Sequence, residues 1–310
     1  MYIFDFVKRL FRLSNIPVII YLVLNVLFIG LVMSLMFAID YGTALLYGLG
    51  IYLVSLVIAL SPIGEWILRF QTGCKKIKDQ NIKNYLEPLF QEVYAKAKAE
   101  DPTIPNNVRL FLSDDASPNA FATGRKTVCV TRGLLVLPPE EIKATLAHEF
   151  GHLAHKDTDL ILVVTVGNLI FNLLVTIIKI VLTVFEWILL FIAALAGGRD
   201  SWLGIMFVKL CSFLVFLFVN GLMWIWTTVG NLLVMASSRG NEYEADAFSF
   251  TLGYGNALCS MLNRIAGGAK PQGLFATLAS SHPATDKRID KIRELQLQQQ
   301  QQQQLNYNPA

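Results

Sequence analysis

Two of the four histidines in this chain fall within His148-Glu149-Phe150-Gly151-His152. On a helix, residues four apart share a face, so His148 and His152 can grip one metal ion from the same side. Glu149 projects beside them, where it can hold a water molecule. A hydrolytic zinc site usually takes three protein ligands and leaves a fourth position to water. The third ligand must come from elsewhere, as His, Asp or Glu. The best candidate lies in Asn241-Glu242-Tyr243-Glu244-Ala245-Asp246-Ala247-Phe248. Glu242 and Asp246 are again four apart and share a helical face. Glu242 can ligate, while Asp246 accepts the outer N–H of a ligand histidine and so fixes its ring. Glu244 points the other way, as a surface charge. Zinc-dependent hydrolysis is the chemistry these types and spacings point to.

The elements that must position these residues are unusual for a hydrolase. The chain has 310 residues, 54% hydrophobic and 16% charged, against about 25% charged in an average soluble domain. The apolar residues gather in long runs, as in a polytopic membrane protein. A net charge of +3 is too small to imply nucleic acid. Cys74, Cys129, Cys211 and Cys259 form no C-x-x-C pair, so neither a disulfide framework nor a zinc ribbon is indicated. No cleavable signal peptide stands out, because the first apolar run is too long for one.

Residues 1–15 read as an amphipathic helix suited to the membrane interface, with Ile3, Val7, Leu10 and Phe11 on one face. Ile16–Ile39 and Thr43–Ile63 form a first spanning hairpin (16–63), with Asp40-Tyr41-Gly42 between them. Lys8, Arg9 and Arg12 flank one end and Arg69, Lys75, Lys76 and Lys78 the other, which places both ends in the cytoplasm. A first soluble segment (64–157) follows. It holds a helix over 83–98 and strands at 108–112, 120–123 and 127–131. Pro138-Pro139-Glu140-Glu141 then starts the helix that carries the metal motif. A second hairpin (158–236) returns the chain to the same side. Leu160–Ala196, interrupted by Lys179 and Glu186, is long for a bilayer: a straight helix would run about 55 Å. Lys179 is therefore expected near the far interface, with the remainder capping, bending or re-entering. A second soluble segment (237–297) carries the Glu-x-x-x-Asp. The tail (298–310), with seven consecutive glutamines, reads as disordered low complexity.

At this point the residues resemble a known family, the HtpX-type membrane metalloproteases of peptidase family M48, bacterial relatives of the Ste24 CAAX-processing proteases. The resemblance rests on the two motifs together, on Asn119-Ala120-Phe121-Ala122 ahead of the metal helix, on Ser281-His282-Pro283 with Arg288, and on the four-span layout. It implies an α+β membrane protein: four transmembrane helices and a mainly helical gluzincin-type protease domain with a small β-sheet, built from the two soluble segments. One Zn²⁺ would be held by His148, His152 and Glu242. Glu149 would move a proton from the attacking water to the leaving amine, and Asp246 would orient His148. His282 and Arg288 would donate to the oxyanion. Asn119, Ala120, Phe121 and Ala122 would offer an edge strand to an extended substrate. The resemblance also implies quality control and stress response at a bacterial inner membrane, cutting misfolded or damaged membrane proteins on the cytoplasmic face.

Other readings compete. A CAAX-type protease would need more spans to wall a chamber. A site-two-type intramembrane protease would carry its His-Glu-x-x-His inside a span, whereas Pro138–Glu141, Lys143 and Lys156 surround this one. A catalytically inactive zinc scaffold would have no need of Glu149. A transporter would carry its charges along the spans.

Overall fold

The structure is a computed structural model that describes Phe11 and residues 15–195, 201–266 and 285–307. The expected N-terminal interfacial helix and the Ser281-His282-Pro283 segment lie outside the described residues, apart from Phe11 and Asn15 in the first. The protein is mostly helical with one three-stranded sheet. Among the described residues four helices are long and apolar enough to cross a membrane, with spans at Ile16–Ser34, Tyr41–Ala59, Val175–Leu195 and Trp202–Gly230. The chain divides into two compact units. One is made of residues up to Val166 with those from Leu233 onward, the other of Gly167–Leu232.

In the first unit, α1 (Ile16–Phe37) and α2 (Tyr41–Ala59) pack as an antiparallel hairpin. Asp40 caps α2, its carboxylate accepting from the Thr43 N–H at 2.9 Å. The second apolar run, expected to continue to Ile63, breaks earlier. Ser61 is extended, its hydroxyl takes the Ile63 N–H, and Pro62 starts a separate helix, α3 (Pro62–Gln71). Proline suits that place because its missing N–H would be unpaired there in any case.

Helix α4 (Gln80–Glu100) is longer than the expected 83–98 and keeps Pro88 inside it. Strands β1 (Arg109–Ser113), β2 (Ala120–Thr123) and β3 (Thr127–Thr131) fall at the expected positions, β1 shifted by one residue. Their order is β1-β3-β2, with β1 parallel and β2 antiparallel to β3. The central β3 is buried throughout, and β2 forms an edge. After a 3₁₀ turn, α5 (Pro139–His155) packs its Phe150 against Phe90 and Tyr94 of α4, with ring centroids 5.5 and 5.3 Å apart. Ile142, Leu146 and Phe150 are fully buried in this core. Glu92 of α4 ties to Lys143 of α5 at 2.8 Å and accepts from the Tyr254 hydroxyl at 3.1 Å. Both lysines that face it, Lys143 and Lys96, hold its carboxyl well below the ordinary range.

Helices α6 (Asp157–Leu195) and α7 (Ser201–Thr251) are each continuous. In the second unit Lys179 donates to the Asn220 carboxamide at 2.7 Å and Glu186 pairs with Lys209 at 2.9 Å, so these polar side chains of the apolar hairpin satisfy one another across it. Neither ends the helix, because α6 continues through both positions to Leu195. Helix α8 (Gly255–Ala266) packs on α5, and α9 (Thr285–Tyr307) packs on α8, burying Ile289 and Ile292. The tail expected to be disordered continues α9 as helix to Tyr307. Glutamine is a good helix former, and the docked first turns supply the nucleus.

Candidate metal centre

Helix α5 presents two faces. Phe150 and its apolar neighbours face α4, which leaves His148, Glu149 and His152 on the opposite side toward α7 and β2. Helix α7 can come close because Gly151 has no side chain. A Cβ there would lie 2.8 Å from the Cα of Ala245, a backbone atom that cannot rotate away. The Ser249 hydroxyl donates to the Ala144 carbonyl at 3.1 Å, a second tie between α5 and α7.

This approach brings Glu242 onto the histidines. The Nε2 atoms of His148 and His152 lie 3.2 Å apart with their rings nearly perpendicular. Oxygens of Glu242 lie 3.5 Å from His148 Nε2 and 3.6 Å from His152 Nε2. A tetrahedral zinc site with bonds of about 2.0–2.2 Å puts its ligand atoms roughly 3.3–3.6 Å apart. The three side chains therefore already stand at zinc-ligand spacing, all buried or nearly so. Two facing imidazole lone pairs beside a carboxylate are stable only around a cation or a shared proton.

Each imidazole is held from behind. Asp246 meets His148 Nδ1 at 2.9 Å, as its four-residue spacing from Glu242 suggested. Asp157 meets His152 Nδ1 at 3.1 Å. It lies five residues beyond His152, off the helical repeat, and reaches back because Lys156 between α5 and α6 adopts a left-handed conformation (φ 60°). With both Nδ1–H groups directed at carboxylates, both Nε2 lone pairs face the common point. Burial alone would strip a proton from His152. The carboxylates of Asp157, Glu242 and Glu149 outweigh it and hold its proton affinity well above the ordinary imidazole value, so proton and metal compete for this ring.

Arg288, on α9, is buried in the same cluster. Its Nε and one terminal nitrogen donate to the two oxygens of Asp246 at 2.7 and 2.6 Å, and the other terminal nitrogen lies 3.1 Å from Glu242. Burial would raise the Asp246 carboxyl, but Arg288 and His148 prevail and hold it below the usual range, ionised. The guanidinium expected to face an oxyanion thus spends its donors on two carboxylates of the cluster. His282, its expected partner in that role, lies outside the described residues.

Glu149 is buried beside the histidines, and its carboxylate accepts the Ala122 N–H at 2.6 Å. Ala122 lies on β2, whose pairing with β3 alternates. The Thr131 N–H donates to the Asn119 carbonyl, so Phe121 and Thr123 also point their backbone groups at β3, while Ala120 and Ala122 point theirs outward. The outward edge of β2 therefore runs past Glu149. Asn119 itself is held by the Thr131 hydroxyl, which accepts its N–H at 2.9 Å. The structure brings together His148, Glu149, His152, Glu242, Asp246, Arg288 and the 119–122 edge, and adds Asp157.

Comparisons with known proteins point to one protease family. The family model described as peptidase family M48 matches residues 80–296. A protease HtpX homolog of Tropheryma whipplei is 31% identical over 211 residues, which cover 60% of this chain and 66% of that protein, just under two thirds of its length. One of Bifidobacterium longum is 27% identical over 257 residues, 72% of this chain and 74% of that one. One of Thermoanaerobacter pseudethanolicus is 25% identical over 304 residues, covering 87% and 94%. The crystal structure of S. mikatae Ste24p superposes with a TM-score of 0.45 at 20% identity, over 86% of this chain and 61% of that one. With the His148–His152 helix, Glu242 and most of its length inside the family match, this multi-pass membrane protein belongs to peptidase family M48.

Proposed function

We propose that the protein is a membrane-bound zinc endopeptidase that hydrolyses peptide bonds of misfolded or damaged membrane proteins at the cytoplasmic face. The observation that carries this reading is the position of Glu149: next to three side chains at zinc-ligand spacing, and hydrogen-bonded to the edge of a strand. A purely structural zinc site has no use for such a carboxylate.

A zinc ion held by His148, His152 and Glu242 would supply Lewis-acid chemistry, polarising a carbonyl and acidifying water. The remaining work falls to the chain. Asp246 and Asp157 keep the two imidazoles in the tautomer and orientation that ligation needs. Arg288 positions Asp246 and Glu242 and offsets their charge; in this arrangement it is a positioning residue. The outward N–H and C=O groups of Ala120 and Ala122 would pair with an extended substrate, which reads main chain and so gives broad sequence tolerance. Binding in that mode takes over the Ala122 N–H and releases the Glu149 carboxylate to accept a proton from the attacking water and pass it to the leaving amine. His282 is proposed to donate to the oxyanion, a contribution of about 3–4 kcal/mol for a good donor. The cytoplasmic placement rests on Arg69, Lys75, Lys76 and Lys78 beside the span ends.

The test compares the purified protein with Glu149→Gln on an unfolded membrane-protein substrate, with zinc quantified in both. We expect cleavage to fall by orders of magnitude while zinc stays near one per chain. Equal, metal-independent turnover in both proteins would sink the reading.

A further inference from the structure

Helix α3 has two faces that look at different surroundings. On one, Ile63, Trp66 and Phe70 stand 60, 61 and 77% exposed, with the two aromatic rings stacked 6.0 Å apart. On the other, Glu65, Leu68 and Arg69 are turned inward. The Glu65 carboxylate accepts the Lys126 N–H at 3.0 Å and the Thr127 hydroxyl at 2.8 Å, and Arg69 donates to the same hydroxyl at 3.2 Å. Arg69 also lies over the Phe111 ring of β1. The turn between β2 and β3 is pressed onto this face: Gly124 has φ +60°, and a Cβ there would sit 2.7 Å from the Glu65 Cγ.

The place of α3 along the chain says what covers its apolar face. Helix α2 supplies a 19-residue span, about 28 Å of helix, close to the roughly 30 Å of the hydrocarbon core. It therefore has no length left over, and α3 begins three residues after it ends. Gly64 holds the junction tight, since a Cβ there would collide with the Ala59 carbonyl. A short amphipathic helix that starts where a span stops, with tryptophan and phenylalanine outward, matches the depth at which aromatic rings settle between headgroups and acyl chains.

We propose that α3 lies in the membrane–water boundary on Ile63, Trp66 and Phe70, and that through Glu65 and Arg69 it holds the turn of the β2–β3 hairpin, and with it the substrate edge, at a set depth beside the bilayer. The part that concerns substrate rests on the protease reading above. The site is then aimed at polypeptide leaving the membrane, and membrane-tethered substrates are taken in preference to soluble ones.

Two measurements test this, one independent of catalysis. In vesicles containing phospholipid brominated near the headgroup end of its acyl chains, the emission lost in Trp66→Phe relative to the unaltered chain isolates Trp66. We expect that component to be quenched by the bromolipid and shielded from iodide; quenching by iodide and not by bromolipid overturns the placement, whether or not any cleavage is seen. The Trp66→Asp, Phe70→Asp double variant and Glu65→Gln should each slow cleavage of a membrane-tethered substrate several-fold more than that of a soluble unfolded one. Equal losses on both would reduce α3 to a support of the fold and overturn the coupling. If the unaltered chain cleaves neither substrate, the protease reading fails and the quenching result still decides where α3 lies.

Discussion

At the scale of single residues, the site is a set of carboxylates each given a different task by its neighbours. Glu242 faces the metal position, Asp246 is pinned by Arg288 behind His148, Asp157 stands behind His152, and Glu149 waits on the edge of β2. The grouping of His148, His152, Glu242 and Asp246 was legible from spacing, because helical periodicity converts a four-residue interval into a shared face, and Glu149 stood out as the acid beside His148. Asp157 was not legible, because its interval of five works only through the left-handed Lys156. A His-x-x-x-x-Asp that straddles a helix end would have been the signal. The partners of Arg288 and the Glu149–Ala122 bond were equally hidden, since both join elements far apart in sequence. The role of Asp157 is open to a direct check. Asp157→Asn keeps the shape but loses the charge that orients His152. Zinc affinity measured by chelator competition should drop about 10–100-fold. Unchanged affinity would mean that Asp157 does not orient His152 for a metal.

At the scale of elements, the centre exists because α5 and α7 cross at closest range. The sequence shows a glycine in the metal motif, but only the packing shows what it is for: the Ala245 backbone occupies the space a methyl group would need. Gly151→Ala should push α7 outward and carry Glu242 with it. Overpacking of this kind costs about 1–3 kcal/mol, and here part of the cost should fall on the metal. Thermal unfolding measured with and without zinc separates the effects. A loss confined to packing lowers both midpoints equally, whereas a displaced α7 lowers the zinc-loaded midpoint more. Strand positions were readable in the sequence to within a residue, but helix ends were less so. The break at Ser61-Pro62 and the unbroken run of α7 through the expected boundary at 236 depend on capping and on packing partners that no local pattern records.

At the scale of the whole molecule, the layout of spans followed from the apolar runs, and the family resemblance from the motifs, because both are written in short intervals. The second compact unit is the expected second hairpin, whereas the separate helix α3 was not foreseen. A ligand that binds only the folded site stabilises by mass action, about 2.7 kcal/mol at a hundred times its dissociation constant. Zinc should therefore raise the unfolding midpoint of the detergent-solubilised protein, chelation should lower it, and re-addition should restore it. A midpoint indifferent to zinc would mean that α5 and α7 are not joined through a metal. The histidines and Glu242 also stand on opposite sides of the second membrane hairpin in the chain. During synthesis the two histidines emerge well before Glu242, which can join them only once the intervening helices have been threaded into the bilayer. On the proposed function, correct insertion is a checkpoint on activation: a stalled or mis-inserted nascent chain would carry two of the three proposed ligands and stay inert.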